Sequence, residues 1–347
     1  MPVPAPLAVE RGPGAGGTRV KTKLMAQAAA KKSRGQPSGK GRLATWLGQE
    51  RVFRLIPFIM VEGTFLLLLA VPFILTIYIS LLKWRASRPF ERAYFHGLLN
   101  YVRVLGDEDF WWALGRTFYF AGTAVLLELI LGFLLAMLVY KQFIGRRFYI
   151  TIFLIPMMVV PVVAGYNFSM IYIDSGPLNQ ILSPITEALG VNPRIRWLSH
   201  PIAAQWAIIL ADVWQWTSLT FLIFLSGFTA LPQQLTNAAR VLGANRWQIF
   251  WRIHLPLLKP AIVIAVIIRS MEALKLFDLS VLLTFGGPGT STETIAFFLW
   301  RQVWQFNKYS FGAAASVLLL FMFAGLIFYG IHLLVRERSI VQEEQGV

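Results

Sequence analysis

The segment LGRTFYFAGTAVLLELILGFLLAMLVY, residues Leu114–Tyr140, decides the fold class. It is apolar over almost its whole length, and its only charged residues are Arg116 and Glu128. The hydrocarbon core of a bilayer is about 30 Å thick, and an α-helix crosses it with roughly 20 apolar residues. The segment is therefore predicted to be a membrane-spanning helix.

Further runs of similar length and hydrophobicity lie on both sides of this segment. They are Pro57–Leu82, Phe148–Ile173, Ile202–Leu231, Pro260–Phe285 and Phe311–Val335. Prolines inside such runs are tolerated in membranes, because neighbouring helices can satisfy the backbone groups that proline frees. We therefore predict an all-α polytopic membrane protein with six transmembrane helices.

The composition of the chain excludes several other classes. Hydrophobic residues make up 56% and charged residues 14%, against roughly 25% charged in soluble domains, so a soluble enzyme is not expected. The chain has no Cys and four scattered His, and it therefore predicts no metal site and no bound cofactor. The net charge of +15 would suggest nucleic acid in a soluble protein, but in a membrane protein it indicates basic loops beside anionic lipid.

The distribution of Lys and Arg predicts the orientation in the membrane. With the N-terminus inside, the inner segments carry 20 basic residues and the outer loops carry 9. The inner loops 141–147 and 232–259 contain no acidic residue at all. Cytoplasmic loops are enriched in Lys and Arg, so both termini are predicted to be cytoplasmic.

Three regions follow from these patterns. Residues 1–54 are predicted to be a basic, disordered cytoplasmic tail, within which Met25 is a possible alternative start of translation. Residues 55–336 are predicted to form the transmembrane domain, with an unusual inner loop at 231–259. Residues 337–347 are predicted to be a short cytoplasmic tail.

The inner loop is too long and too apolar to be a plain connection. It reads LPQQLTNAARVLGANRWQIFWRIHLPLLKPAI from Leu231 to Ile262. Gln233–Leu242 is predicted to be a short helix that ends at Gly243 in the left-handed conformation. A second helix is expected over Arg246–Ile253, closed by Leu255-Pro256. Physical reasoning alone leaves two uses open for this helix–turn–helix: a contact with a partner protein or an amphipathic element on the inner leaflet.

Three sequence motifs resemble the ABC importer permeases. In that family a loop contains Glu-Ala-Ala, three residues, Gly, nine residues and Ile-x-Leu-Pro, and the matching residues here are Asn237, Ala238, Ala239, Gly243, Ile253, Leu255 and Pro256. Asn237 stands where the family commonly has Glu. The stretch FDLSVLLTFGGPGTSTETI, residues 277–295, is similar to a signature of the carbohydrate-uptake branch, and residues 117–138 resemble the family's second span, although Arg116 stands where Asn is frequent.

The resemblance implies the function and the partners. A binding-protein-dependent permease of the bacterial inner membrane pairs with a second permease, with two cytoplasmic ATPase subunits that hold ATP and Mg²⁺, and with a periplasmic binding protein. The expected role of this chain is transport of a sugar, polyol or glycerol-phosphate-like solute, without enzymatic activity of its own. The loop would couple ATP hydrolysis to transport, and Asn237 would give weaker docking because it lacks a carboxylate.

Charged residues inside predicted spans are candidates for function. Four of them recur every three residues near the fifth span: Arg269, Glu272, Lys275 and Asp278. Residues three apart on a helix lie on one face, so these four are expected to form an ion-pair ladder facing the path or the second permease. Aromatic and polar residues of spans three and four are candidates for the substrate path: Tyr166, Asn167, Asp212, Trp214, Trp216 and Ser218.

Other functions remain as alternatives. An importer permease for a non-sugar solute, such as a polyamine or phosphate, differs mainly in lacking the Gly286-Gly287-Pro288 segment. A membrane-embedded enzyme would require a nucleophile–base or metal constellation, and none is apparent in the sequence. A channel or secondary transporter would have no use for the loop at 231–259.

Overall fold

The computed structural model describes residues 39–85, 87, 89–188, 190 and 194–344, and most of them are helical. The helices are α1 Gly39–Ser80, α2 Leu99–Leu105, α3 Glu108–Val139, α4 Arg146–Met158, α5 Pro161–Ile171, α6 Pro177–Ala188, α7 Pro201–Thr229, α8 Gln233–Val241, α9 Arg246–Ile249, α10 Leu255–Ala273, α11 Ile295–Trp300 and α12 Tyr309–Glu344. Three π-helical turns cover Phe250–His254, Ser280–Thr284 and Arg301–Gln305, and a 3₁₀ turn covers Phe90–Arg92. Strands β1 Leu82–Lys83 and β2 Tyr94–Phe95 pair antiparallel.

The described residues contain helices for the predicted spans. Five stretches are long and apolar enough to cross a membrane, namely Met60–Ser80, Glu108–Val139, Pro201–Thr229, Arg246–Ala273 and Tyr309–Phe328. Helices α4 and α5 together would make a sixth span, but they are bent by 96° at the break between them. The all-α polytopic prediction is therefore confirmed, with one span that is broken rather than continuous.

The break in the third span has a local cause. Pro161 is the first residue of α5, and it has no backbone N–H to donate to the preceding helix. A residue before proline is driven out of the helical region, and Val160 has φ −62° and ψ 136°. The predicted span over 148–173 therefore consists of two helices, α4 and α5, that meet at a sharp bend.

The fifth span is displaced from its predicted position. The sequence predicts it over Pro260–Phe285, whereas the helical stretch runs from Arg246 to Ala273. Pro256 does not close a helix, because the π-helical turn Phe250–His254 precedes it and α10 continues through it. A π-helical turn widens the backbone where proline would otherwise clash with the carbonyl one turn earlier.

Helices extend into both of the predicted cytoplasmic tails. Residues 1–38, with Met25, lie outside the described residues, and α1 begins at Gly39, so the described part of the predicted N-terminal tail is helical. Helix α12 continues to Glu344, past the predicted boundary at 337. The chain divides into a unit that ends at Ile74 and a unit that begins at Leu75, and the packed core described below belongs to the second unit.

Helices α3 and α7 share the most extensive contact between helices in this core. Gly132 of α3 lies so near α7 that a Cβ atom there would come within 2.7 Å of the backbone nitrogen of Phe221. Ala136, one turn further along α3, is fully buried beside Phe224 and Phe228. Small residues spaced by four allow membrane helices to approach closely, and this contact positions the buried charges of the two helices.

Candidate functional site

The segment Gln233–His254, called the knob below, connects α7 to α10. Helices α8 and α9 lie where the sequence predicts two short helices. Gly243 ends the first of them at φ +83°, in the left-handed region. Asn245 caps the second with a reciprocal capping box, in which its side chain accepts from the Gln248 N–H at 2.8 Å and its own N–H donates to Gln248 Oε1 at 2.9 Å.

The knob is fixed at its base and exposed at its tip. At the base, Thr236 Oγ1 and His254 Nε2 lie 3.1 Å apart and share a hydrogen bond, and Phe250 packs edge-on against Phe133 of α3. At the tip, Leu242 is 87% exposed and Trp247 is 71% exposed. An exposed apolar tip on a fixed base is suited to contact another surface.

The residues of the predicted coupling motif all lie along the knob and the start of α10. Four of them are exposed and three are partly buried: Asn237, Ala238, Gly243 and Pro256 in the first group, and Ala239, Ile253 and Leu255 in the second. The short side chains of the two alanines leave the surface of α8 open. A partner could therefore approach its backbone closely.

Three charged side chains meet in the interior of the helix bundle. Arg269 of α10 donates through Nη2 to Glu128 Oε1 of α3 at 2.7 Å and to Asp212 Oδ2 of α7 at 2.6 Å. Its Nε also donates to the other carboxylate oxygen of Glu128. All three residues are buried, and the guanidinium lies 5.1 Å from the ring centroid of Trp216. We call Glu128, Asp212 and Arg269 the buried triad.

The triad corrects the predicted ladder of four charges. Arg269 pairs with two other helices and not with Glu272. Glu272 and Lys275 do form an ion pair at 2.7 Å, but their side chains are 41% and 65% exposed. Asp278 has no ion pair within the described part of the chain. A buried guanidinium requires carboxylates that satisfy its donors. Glu128 and Asp212 are single acidic residues inside two other predicted spans, and this sequence signal could have identified them as the partners of Arg269.

The predicted path residues are not brought together. Asp212 and Ser218 are buried inside the chain, and Trp216 lies against Arg269. Tyr166, Asn167 and Trp214 are exposed, with Trp214 packed edge-on against Phe168 at 5.3 Å. Asp212 is turned towards Arg269 of α10, and the assignment of these six residues to the substrate path stays a prediction. No group of three His, Cys, Asp or Glu suited to a metal ion occurs among the described residues.

The Phe277–Ile295 segment is a hydrogen-bonded internal structure. The buried Thr292 donates through Oγ1 to the Gly287 carbonyl at 2.8 Å, and its own carbonyl accepts from Ser280 Oγ at 2.6 Å. Thr294 donates to the Leu276 carbonyl at 2.7 Å and accepts from the Phe297 N–H, which starts α11. The threonines of this signature therefore hold the loop together.

Arg116, which stands where the similar family often has Asn, has a partner in the same loop. Its Nε donates to the Glu293 carbonyl at 3.0 Å, and the Glu293 carboxylate lies 2.9 Å from Arg301 Nη2 and 3.9 Å from Arg116 Nη2. Burial raises the pKa of Glu293, while Arg301 and Arg116 act against that shift. Sequence reasoning missed this cluster, since Arg116 and Glu293 are far apart in the chain.

Comparison with protein families and with characterised proteins gives a consistent result. Residues 128–340 match the family model described as binding-protein-dependent transport system inner membrane component. The chain is 39% identical to the trehalose/maltose transport system permease protein of Thermococcus litoralis, over 65% of this chain and 74% of that one. It is 30% identical to the trehalose transport system permease protein of Mycobacterium tuberculosis, over 78% and 86% of the two chains.

A solved structure has the same fold. A chain of a bacterial ABC transporter involved in the import of the acidic polysaccharide alginate superposes with a TM-score of 0.70 at 22% identity. The match covers 84% of this chain and 98% of that one. At this identity the likeness concerns the fold alone.

Proposed function

Because this chain belongs to the family of binding-protein-dependent transport system inner membrane components, we propose that its solute is a sugar or a sugar-like molecule. The chain itself is a multi-pass membrane permease of an ABC importer and not an enzyme. Relatives named for trehalose, maltose and sulfoquinovosyl glycerol transport support a carbohydrate. They give no support to polyamine or phosphate transport.

The knob is proposed to couple this permease to a separate ATPase, and its exposed apolar tip is the observation that carries this proposal. The tip presents Leu242 and Trp247 on a base that is fixed to α3. ATP and Mg²⁺ would bind to the ATPase subunits. Asn237 is exposed on α8, where it can offer a partner an amide hydrogen bond but no charge, so docking on this side is expected to be weaker than with Glu.

The proposal also includes the other subunits of the importer and the orientation of this chain in the membrane. A second permease would pair with this chain, two ATPases would bind on the cytoplasmic side and a binding protein would deliver solute from the periplasmic side. The excess of Lys and Arg in loops 141–147 and 232–259 favours cytoplasmic positions for the knob and for both termini. Movement of the two permeases as rigid bodies would then alternate access to the solute.

Transport assays test the solute. The complex, assembled with its ATPases, second permease and binding protein, would be placed in proteoliposomes containing ATP. Uptake of labelled trehalose and maltose would be compared with uptake of putrescine and phosphate. ATP-dependent uptake of a sugar supports the proposal, and uptake of putrescine or phosphate alone contradicts it.

Cysteine labelling tests the orientation. The chain has no Cys, so a single Cys at Gln142 or at Trp247 gives a clean signal with a reagent that does not cross membranes. Both positions should react only after the membrane of intact cells is opened. Labelling of either position from the periplasmic side would contradict the proposed orientation.

A further inference from the structure

A cavity of about 520 Å³ opens at one end of the helix bundle, within the range of roughly 300–1,000 Å³ that holds small ligands. It lies between the end of α1, the α2 helix and the starts of α3 and α12. Its lining residues are Lys83, Trp84, Arg85, Asn100, Arg103, Asp107, Lys308, Ser310 and Phe311. We call it the basic cavity.

The charge of the basic cavity is strongly positive. Four of its lining residues are Lys or Arg, and Asp107 is the one acid among them. The Asp107 carboxylate is already engaged, because its Oδ1 accepts from the Phe110 N–H at 3.0 Å as the N-cap of α3. Burial, together with the positive charges of Arg103 and Lys83, lowers the pKa of nearby His96. An anionic group would therefore be favoured inside.

The walls of the cavity are held by buried polar side chains. Asn100 is 3% exposed and donates through Nδ2 to the carbonyls of Ser80 at 2.8 Å and Leu82 at 2.7 Å. Ser310, also 3% exposed, accepts through Oγ from the Trp84 N–H at 3.0 Å. These bonds tie the end of α1, the β1 strand, α2 and the start of α12 to one another, so the basic residues project from a fixed frame.

The basic cavity is surrounded by aromatic residues of the kind found at membrane–water interfaces. Helix α3 contacts the knob near its C-terminal end, and its N-terminal end borders the cavity, so the two sites lie at opposite ends of a helix that is about 48 Å long. Trp84 packs on Tyr309 at 5.2 Å, and Trp112 and Trp304 are 66% and 64% exposed nearby in the chain. Trp and Tyr concentrate at the two membrane–water interfaces.

We propose that the basic cavity binds the phosphate headgroup of an anionic phospholipid. Clusters of Lys and Arg beside membrane helices attract anionic headgroups, and here four such cations line the same cavity as Trp84. An acidic loop of a soluble partner would be drawn by the same charges but has no need of the aromatic residues. The proposal does not depend on which solute is transported or on the role of the knob.

Lipid retention by the assembled complex tests the proposal. The complex would be placed in nanodiscs of phosphatidylcholine with 20% phosphatidylglycerol, and the lipids kept after mild detergent washing would be identified by native mass spectrometry. The wild type should retain phosphatidylglycerol over phosphatidylcholine. Lys83→Gln, Arg103→Gln and Lys308→Gln should each reduce that preference roughly fivefold, because a base near an anionic surface contributes about that factor.

A matched control separates this site from general surface charge. Arg92 is an exposed base on the same loop but does not line the cavity, so Arg92→Gln should retain phosphatidylglycerol like the wild type. Size-exclusion profiles would show that each variant is assembled.

Three results would overturn the proposal. The first is no preference for phosphatidylglycerol in the wild type. The second is displacement of the lipid by millimolar inorganic phosphate, which would show a site for free anions. The third is an unchanged lipid preference in the cavity variants with weaker affinity for the binding protein in pure phosphatidylcholine, which would show a protein docking site.

Discussion

The buried triad and the knob both use the helical stretch Arg246–Ala273, yet their surroundings are opposite. Arg269, near the end of this stretch, is 1% exposed and is held by two carboxylates from other helices. Trp247, near its start, is 71% exposed. Burial makes the triad a determinant of folding and assembly, because an unpaired charge in the interior is costly. Exposure leaves the knob free to contact a partner, so changes there should affect coupling more than folding.

Arg269→Met should have the largest effect on stability. It leaves Glu128 and Asp212 buried without a cation, which costs about 3–5 kcal/mol. The yield of assembled complex in detergent should collapse, as measured by fluorescence-detected size exclusion and thermal unfolding. Lys275→Met removes a cation from the same region but at an exposed position, and it serves as the matched control.

A combined variant distinguishes lost pairing from lost packing. Glu128→Gln, Asp212→Asn and Arg269→Met together remove all three charges, and replacing a whole buried ion group can be nearly neutral. The combined variant should assemble better than Arg269→Met alone. If it assembles no better, the three charges do not act as a unit, and charge pairing is not what makes the triad more important for folding than the knob.

Thr292→Val tests whether buried polar groups without charge behave like the triad. The change keeps the shape of the side chain but removes the donor to the Gly287 carbonyl at 2.8 Å. It also removes the contact with the Thr284 hydroxyl at 2.6 Å, which keeps the Ser280 carbonyl as its partner. The free energy of unfolding should fall by about 1–3 kcal/mol, measured as a lower thermal midpoint. Thr290→Val, an exposed position in the same loop, should leave the midpoint unchanged. An equal loss in both variants would show that Thr292 has no special role.

Gly243→Val tests the coupling role of the knob. The backbone at φ +83° is costly for a β-branched residue, by roughly 1–2 kcal/mol. No atom lies within 4 Å of where the Cβ would stand, so the strain is confined to the turn and membrane assembly should persist. Uptake and co-purification of the ATPase should be lost. Gly243→Asn is the matched control, because Asn tolerates the left-handed region and should keep most of the uptake. Normal uptake in Gly243→Val would contradict the proposed coupling role of the knob.

The sequence predicts the knob far better than the triad, for a physical reason. The turn at Gly243 and the helices beside it depend on residues that are neighbours in the chain, so spacing alone identifies them. The triad joins Glu128, Asp212 and Arg269 across three helices, and no local pattern shows which helices touch. A periodic run of charges at 269–278 instead favours pairing along one helix, and that prediction holds only for Glu272 and Lys275.

Span boundaries show the same limit. Hydrophobicity identifies the apolar runs, but it does not register the break at Val160 or the continuation of the helix through Pro256. Both places contain a proline, and its effect on the helix depends on the backbone before it. Val160 is extended and the helix breaks before Pro161, whereas a π-helical turn precedes Pro256 and the helix continues. The same residue type therefore breaks one span and is absorbed by another, which composition cannot distinguish.

The Glu272–Lys275 pair should give the smallest effect, and it decides whether a second buried charge site lies at the end of α10. The pair lies 2.7 Å apart with both side chains substantially exposed, and exposed ion pairs contribute about 0–1 kcal/mol. Lys275→Met should therefore shift the thermal midpoint only slightly, and adding Glu272→Gln should bring no recovery. A buried pair behaves differently, since removal of one member strands the other and removal of both relieves the loss. If Lys275→Met proves severe and the double variant recovers, the second permease must cover these two residues in the assembled complex. Like the triad, the pair would then be a buried charge group that assembly depends on.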